Sequence, residues 1–398
     1  MKILLVSSYL PFPLLNGGNI RLYNLIKELH KRHQVTLICE IRPNQSQEDV
    51  GEVEKICFKV VTVPRKKQWS LKNIVTSALS TQPFLITGHT LPEMTRAIEK
   101  ELASAHYDLI HVETFYVMQN LPKTHLPVVL VEHNIEYLVY KRYTQKASFI
   151  FKPFLSIDVK KIRRAEEASW RHATAVVTVS EDERKIINQK NTFVVANGVD
   201  TKQFKQKTIT KDFVHKDKTI LYIGDYKWLQ NRDAVGYIIK EIWPVIKENW
   251  KEEYGKVKLW IVGRHMPDGM KKLGEGDSAI AFDDNNPKST PEIFTEADVL
   301  LAPKRVGGGT SYKTLEAMAV GTPVVTNNLG LEGLKIEKVR DILVAQSPKE
   351  LAENTISLLT DKKKYQQLSQ QSRQAIEKTY DWSAIVKDLE AVYSVAVQ

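Results

Sequence analysis

Residues 303–334, PKRVGGGTSYKTLEAMAVGTPVVTNNLGLEGL, contain the pattern that decides the fold. A glycine-rich turn at 307–309 follows a strand-like run, DVLLA, at 298–302. Beyond the turn, apolar residues within 315–319 recur at the i, i+3, i+4 spacing of one helix face. A second apolar run follows at 324–326. The order strand, glycine turn, helix and strand predicts a βαβ unit.

The turn in this unit has the chemistry of an anion site. Backbone N–H groups at a helix N-terminus attract phosphate groups. Lys313 adds a positive charge and Glu316 is the carboxylate one turn into the helix, suited to the paired hydroxyls of a sugar. This combination predicts a bound nucleotide-sugar. Taken alone, the glycines are equally compatible with a tight turn that binds nothing.

Length and composition predict two globular domains. The chain has 398 residues, more than the roughly 250–300 at which a single core stops growing. Its 42% hydrophobic and 26% charged residues are typical of globular proteins. Cys39 and Cys57 are the only cysteines, which excludes a disulfide framework and favours a cytoplasmic protein.

Strand-like and helix-like runs alternate through both halves of the chain, which predicts α/β domains with parallel sheets. We expect an N-terminal Rossmann-like domain at residues 1–200, a polar linker at 201–218 and a second Rossmann-like domain at 219–380. Ligands of such sheets bind beyond the carboxyl ends of the strands. Two doubly wound domains would therefore face each other across an interdomain cleft.

Three polar side chains follow apolar runs in the first half. His111 and Glu113 end the run IHVE and, being two residues apart, share one face of a strand. His133 follows the run VVLVE and could bond a sugar or act as a base. Gly17 and Gly18 open a helix, where backbone could approach a phosphate. Structural hydrogen bonds and an ordinary turn are the alternatives.

Several other classes of protein are disfavoured. The sequence has no Asp-x-Asp pair and no histidines spaced as ligands, so we expect no metal and no cofactor. The dinucleotide fingerprint, the Walker loop and the nucleophile elbow are absent. No DNA- or RNA-binding motif accompanies the net charge of +10, so a nucleic-acid partner is not expected.

A basic, aromatic segment lies at residues 141–171, with nine Lys or Arg against three acids. Such a segment could rest on anionic lipid at the inner face of a membrane. A solvated helix face beside a small local core explains it equally well.

Taken together, these stretches resemble the large retaining glycosyltransferase family called group 1, or family 4, which has the GT-B fold. The resemblance spans nearly the whole chain. It rests on the following stretches: EHNIE at 132–136, TVSEDE at 178–183, ANGVDTKQF at 196–204, YIGDYKWLQN at 222–231, WIVGR at 260–264 and the run from 297 to 325.

The resemblance implies roles for individual residues. Glu316 matches the glutamate that holds the donor ribose, and Gly17 and Gly18 match the loop over the diphosphate. A final helix, about 381–398, would return to the first domain. The remaining donor-binding candidates are Gly224, Lys227, Gly263, Arg264, Gly308, Gly309, Thr310, Ser311 and Tyr312.

Three positions depart from the family pattern. Gly308 stands where the family has a second glutamate, and Glu113 stands where it often has a histidine. After Gly224 the usual arginine and lysine are missing. We expect Lys313 to supply the missing cation, with Lys227 or Arg264 as helpers.

The resemblance implies a retaining, metal-independent transferase that moves a sugar from a nucleoside diphosphate donor. The implied acceptor is a saccharide or lipid-linked saccharide, as in surface polysaccharide or glycolipid synthesis. The catalytic candidates are Glu113, His111, His133 and Lys313. Two alternatives are a nucleotide-sugar 2-epimerase of the same fold and a degenerate, non-catalytic family member.

Overall fold

The structure is a computed structural model that describes residues 1–208, 213, 217–306, 309–336, 338 and 340–398. The chain separates into two compact units. Unit 1 comprises residues 1–196 and 385–398, and unit 2 comprises residues 197–384. Among the described helices, none is long and apolar enough to cross a bilayer.

Unit 1 is built on a parallel sheet that, within the described residues, has seven strands in the order β3-β2-β1-β4-β5-β6-β7. The strands are β1 (Lys2–Ser7), β2 (Gln34–Ile41), β3 (Lys59–Pro64), β4 (Leu109–Glu113), β5 (Val128–Val131), β6 (Ala175–Thr178) and β7 (Thr192–Val194). The helices are α1 (Gly17–Leu29), α2 (Gln47–Glu54), α3 (Leu71–Leu79), α4 (Phe84–Thr87), α5 (Pro92–Ser104), α6 (Glu136–Lys146), α7 (Lys152–His172) and α8 (Glu181–Ile187).

Unit 2 repeats this architecture with six described parallel strands in the order β10-β9-β8-β11-β12-β13. The strands are β8 (Lys218–Asp225), β9 (Val257–Arg264), β10 (Ile280–Asp284), β11 (Val299–Leu301), β12 (Val324–Thr326) and β13 (Leu343–Val344). The helices are α9 (Leu229–Tyr237), α10 (Trp243–Asn249), α11 (Asp268–Lys271), α12 (Thr290–Glu296), α13 (Tyr312–Val320), α14 (Pro348–Thr360), α15 (Lys362–Thr379) and α16 (Trp382–Val397). Residues 385–397 of α16 belong to unit 1.

The strands are continuous apolar runs because helices cover both faces of each sheet. Residues 3–6 of β1, for example, are completely buried. The two sheets confirm the predicted α/β architecture of two doubly wound domains. One helix differs from expectation: the sequence predicts it at 233–247, whereas α9 begins at Leu229 and a π-helical segment, Ile238–Ile242, separates it from α10. Pro244 follows in the first turn of α10, where a missing N–H is tolerated.

The order of strands reverses between β1 and β4 in unit 1 and between β8 and β11 in unit 2. At such a switch point the connections leave in opposite directions and open a crevice at the carboxyl ends of the strands. The loops at these two points carry most of the candidate residues.

Candidate functional site

The glycine turn of unit 2 connects β11 to α13, at the switch point of its sheet. Gly309 has φ +80°, a left-handed conformation that glycine adopts without strain. Gly307 and Gly308 lie outside the described residues, so the candidate Gly308 stays a prediction. Gly321, at φ +76°, ends α13 as the sequence predicts.

The N-terminus of α13 has no side-chain cap. Ser311 is the N-cap residue, but its hydroxyl accepts from Thr314 Oγ1 rather than from a backbone N–H. The Thr310 hydroxyl, immediately before it, is buried and bonds to no described group. Because buried polar groups are rarely unsatisfied, this arrangement leaves hydrogen-bonding capacity for a ligand.

Lys313 lies in the first turn of α13, and its ammonium group is a cation of this site; a second, Lys304 Nζ, donates to the Gly309 carbonyl at 3.1 Å. Lys313 Nζ lies 3.0 Å from Asn231 Oδ1 and 4.1 Å from the centre of the Tyr222 ring. Burial of the ammonium lowers its pKa to about 7; Glu316 opposes this shift and Lys304 adds to it. The lysine is therefore close to losing its charge unless an anion binds beside it.

Glu316 lies one helical turn after Lys313, on the same side of α13. Burial raises the pKa of its carboxyl to about 7, and the positive charge of Lys313 partly offsets this rise. None of the hydrogen bonds that link the described residues involves the Glu316 side chain. The carboxylate is only partly buried, so the paired hydroxyls of a sugar could reach it and donate to it.

Asn231 connects the loop after β8 to this site, a role that the sequence reasoning missed. Its Oδ1 accepts from the Tyr222 hydroxyl at 3.0 Å as well as from Lys313, and its Nδ2 donates to the Asp225 carbonyl at 2.8 Å. Gly224 makes room for it, since a Cβ at Gly224 would lie 2.8 Å from Asn231 Cγ. The only sequence signal was its place at the end of the YIGDYKWLQN stretch.

The expected helper cations lie at the ends of β8 and β9. Lys227 Nζ is 3.0 Å from Asp225 Oδ2, and His265 Nδ1 is 2.9 Å from Asp225 Oδ1. Burial raises the Asp225 pKa, but these two bonds outweigh it and lower the pKa overall. The Arg264 side chain is exposed. A carboxylate thus occupies the loop where the family pattern has cations, and Lys227 is paired with it.

Gly263 has a steric role in the same region. A Cβ at this position would lie 1.8 Å from the Gly224 carbonyl oxygen, and its φ is +155°. The two glycines are register partners in the β8–β9 pair. They therefore allow the ends of β8 and β9 to approach closely.

In unit 1, Glu113 is the last residue of β4 and is completely buried. Its two carboxylate oxygens are each bonded by a histidine: His111 Nε2 is 2.8 Å from Oε2, and His133 Nε2 is 2.5 Å from Oε1. Burial raises the pKa of this carboxyl, but the two histidines lower it well below its usual range. Glu113 is therefore an ionised anchor for both rings.

The two histidines have different surroundings. His111 is buried, and its Nδ1 lies 2.6 Å from the hydroxyl of Tyr393 in α16. Both ring nitrogens of His111 are therefore engaged. The His133 side chain is 18% exposed, and only its Nε2 has a hydrogen bond among the described residues. Of these three residues, His133 is the one placed to meet a ligand.

Gly17 and Gly18 form the first turn of α1, capped by Asn16, whose side chain accepts from the Asn19 N–H at 3.1 Å. The Tyr9 hydroxyl donates to the Gly18 carbonyl at 3.3 Å. A Cβ on Gly18 would lie 3.2 Å from that hydroxyl. Tyr9 thus covers this turn closely. Across the described residues, no group of three or more His, Cys, Asp or Glu is arranged to hold a metal ion.

Comparison with known proteins places both units in one group of enzymes. The family model "Glycosyltransferase Family 4" matches residues 15–203, and "Glycosyl transferases group 1" matches residues 217–361. Spore coat protein SA of Bacillus subtilis is 22% identical, with 99% of each chain covered.

Solved structures share the fold over the whole chain. Sucrose-phosphate synthase from Thermosynechococcus elongatus matches with a TM-score of 0.69 and 17% identity, covering 99% of both chains. HepE of Anabaena, solved with UDP-glucose, matches with a TM-score of 0.66 and 16% identity, covering 99% of this chain and 100% of HepE. The two family models together match well over half of the chain, which is therefore a GT-B glycosyltransferase of the group 1, or family 4, family.

Proposed function

We propose that this glycosyltransferase uses a nucleoside diphosphate sugar as donor and transfers the sugar, with retention of configuration and without a metal, to an acceptor hydroxyl. The proposal rests on one observation above all. Glu316 is a partly buried carboxylate that accepts no hydrogen bond from the described residues, and it lies beside the cation Lys313 at the uncapped start of α13. Ribose hydroxyls and a diphosphate are complementary to these two groups.

The diphosphate is the leaving group of the proposed reaction, and its negative charge grows as the sugar departs. Lys313 and the N-terminus of α13 would stabilise that charge in a site that is already organised before the reaction. Asn231 fixes the Lys313 ammonium because its Oδ1 accepts a hydrogen bond from Nζ at 3.0 Å. A bound diphosphate would also keep the ammonium protonated, because a neighbouring anion raises the pKa of a lysine.

His133 is the residue of unit 1 that we assign to the acceptor or the transferred sugar. Its Nε2 is held by Glu113, which leaves Nδ1 to accept a proton or a hydrogen bond from a hydroxyl. Glu113 then acts as a positioning residue, because it is buried and fixes the orientation of His133. His111 binds the other carboxylate oxygen of Glu113, and Tyr393 in turn bonds His111.

Retention of configuration and a saccharide or lipid-linked saccharide acceptor follow from the family resemblance. The complex of HepE with UDP-glucose supports a nucleotide-sugar donor in this fold.

The first experiment is a thermal-shift screen against UDP-, GDP-, ADP- and TDP-sugars. One class is expected to raise the midpoint of unfolding, since a ligand that binds only the folded state stabilises it. Product analysis with that donor, with and without acceptor, then separates transfer from isomerisation of the donor. Addition of a chelator should leave turnover unchanged. If no nucleotide sugar stabilises the protein, the proposed donor is wrong.

A further inference from the structure

Two segments of unit 1 expose large apolar side chains that no part of the described chain covers. In and just before α3, Trp69, Leu71 and Leu79 are 80%, 78% and 84% exposed. At the start of α7, Phe149, Phe151 and Phe154 are similarly exposed. We call these six residues the aromatic edge. Exposed apolar clusters of this kind usually mark an interaction site.

Two hydrogen bonds join the segment that contains α3 to α7. Lys161 Nζ donates to the Ser77 carbonyl at 2.6 Å, which links the middle of α7 to α3. The Phe84 N–H donates to Asp158 Oδ1 at 2.8 Å, and the Phe84 ring lies 4.8 Å from that of Trp69. These contacts place the segment that contains α3 beside α7, one to two helical turns beyond Phe154.

The two segments that carry the aromatic edge have an excess of positive charge; nearby, Glu93 pairs with Lys66, and Asp158 accepts from the Phe84 N–H. Residues 65–84 contain four Lys or Arg and no Asp or Glu, and residues 137–157 contain another four and again no acid. Lys67, Lys72, Lys141, Arg142 and Lys152 are among them. Such a surface is complementary to an anionic one.

Topology places the aromatic edge on the side of unit 1 that carries the candidate residues. The connection containing α3 begins at the carboxyl end of β3, and the connection containing α6 and α7 begins at the carboxyl end of β5. Glu113 ends β4, and His133 follows β5, so both lie at the carboxyl ends of the strands of this parallel sheet. A partner bound at the aromatic edge would thus lie at the end of the sheet where we expect chemistry.

We infer that the aromatic edge docks unit 1 onto an anionic lipid bilayer. Aromatic side chains and leucines enter the interfacial region of a bilayer, while lysines and arginines around them reach the lipid phosphates. The cores of protein–protein interfaces are instead depleted of lysine, which disfavours a protein occupant for this surface. The inference does not depend on the identity of the sugar donor.

The surface overlaps the first part of the basic segment 141–171 considered from the sequence but excludes the rest of it. Within α7, Ile162, Glu166 and Trp170 are buried, so that part of the helix faces the core of unit 1. The aromatic edge uses only the start of α7 and adds α3, whose exposed apolar residues the sequence reasoning did not single out.

Sedimentation with vesicles tests this inference on the full-length protein. The wild type should sediment with vesicles of phosphatidylethanolamine and phosphatidylglycerol, less so as salt is raised, and stay in solution with phosphatidylcholine alone. The variant F149S/F151S/F154S should lose binding by about tenfold or more, since it removes most of the apolar area of one segment. K141Q/R142Q/K152Q should weaken binding to anionic vesicles through the loss of charge.

Phe58→Ser is the matched control. Phe58 is 70% exposed, but it precedes β3 and therefore lies at the amino ends of the strands, opposite the aromatic edge. It should bind vesicles as the wild type does, and the circular dichroism of all variants should match. Three results would overturn the inference. The first is that the wild type does not sediment with anionic vesicles, and the second is that Phe58→Ser loses as much vesicle binding as the triple variant. The third is that the wild type self-associates with rising concentration instead of binding lipid, and that the triple variant abolishes this self-association. Donor affinity, measured without lipid, is independent of each.

Discussion

The Nε2 atom of His133 lies 2.5 Å from Oε1 of Glu113, a carboxylate with no exposure to solvent. The same carboxylate is bonded by His111 through its other oxygen. A histidine whose one nitrogen is held by a buried carboxylate has a fixed tautomer and a fixed ring orientation. This arrangement fits His133 to contact a reacting hydroxyl and Glu113 to orient it.

Replacing His133 with alanine should lower turnover by about 10²-fold or more, the usual range for a group that assists proton transfer. Affinity for the nucleoside diphosphate should stay unchanged, because the groups proposed to bind it, Lys313 and Glu316, belong to unit 2. Steady-state kinetics and calorimetry separate the two effects. Glu113→Gln should reduce turnover in the same direction. His125→Ala, which removes an exposed histidine of unit 1, serves as control; wild-type turnover in His133→Ala would eliminate the proposed role.

Lys313→Ala should reduce turnover by about 10²–10³-fold, the typical result of removing one preorganised electrostatic contact to a developing charge. The fold should be retained, since the ammonium is buried at a cost and its removal relieves that cost. Turnover and thermal unfolding of the variant test both statements. Lys349→Ala removes an exposed lysine of unit 2 and should change neither. Near wild-type turnover of Lys313→Ala would remove the lysine from the mechanism.

Asn231 should act through Lys313, so the effects of the two substitutions should not add. We expect Asn231→Ala to reduce turnover by about tenfold, because the ammonium loses its 3.0 Å partner and the Tyr222 hydroxyl also loses its acceptor. In a Lys313→Ala background the same change should have little further effect. A double-mutant cycle of turnover measures this coupling. Fully additive losses would show that Asn231 contributes independently of Lys313.

Donor affinity should depend on pH with a maximum near neutrality. Burial lowers the Lys313 pKa to about 7, so the lysine loses its charge, and its attraction for a diphosphate, as pH rises above this value. Burial raises the Glu316 pKa to about 7, so the carboxylate becomes protonated and a weaker acceptor as pH falls below it. Calorimetric titrations with the donor across this range should give a bell-shaped curve. Above pH 7, binding should also take up protons.

Lys313→Gln provides the control for the pH dependence. It should lose the alkaline decline and keep the acidic one, shifted to higher pH because the charge of Lys313 no longer lowers the Glu316 pKa. Affinity that stays constant on both sides of neutrality would show that neither group contacts the donor in its charged form.

The fold could be predicted from sequence mainly where burial is continuous. The apolar run predicted at 324–326 has the bounds of β12, because both faces of this strand are covered. The start of α9 was predicted four residues late, since Leu229 is 54% exposed and adds nothing to an apolar period. The pattern of apolar residues along the sequence predicts which part of a helix is buried. It does not predict a first turn that is exposed.

The candidate site was only partly accessible to sequence reasoning. Lys313 and Glu316 are one turn apart, so their proximity follows from helix geometry. The contact between Asn231 and Lys313 joins residues 82 positions apart, and that between His111 and Tyr393 joins residues 282 positions apart. Such contacts depend on strand order and on α16, which single-sequence patterns do not determine.

The central claim is that Glu316 holds the ribose of a nucleoside diphosphate donor, and calorimetry tests it most directly. The nucleoside diphosphate selected by the thermal-shift screen is titrated into wild type, Glu316→Ala and the control Glu350→Ala, an exposed first-turn glutamate of α14. We predict that Glu316→Ala weakens binding by about tenfold or more, since two charge-assisted hydrogen bonds are lost, while Glu350→Ala binds as the wild type does. Equal affinity of wild type and Glu316→Ala would contradict the proposed donor site.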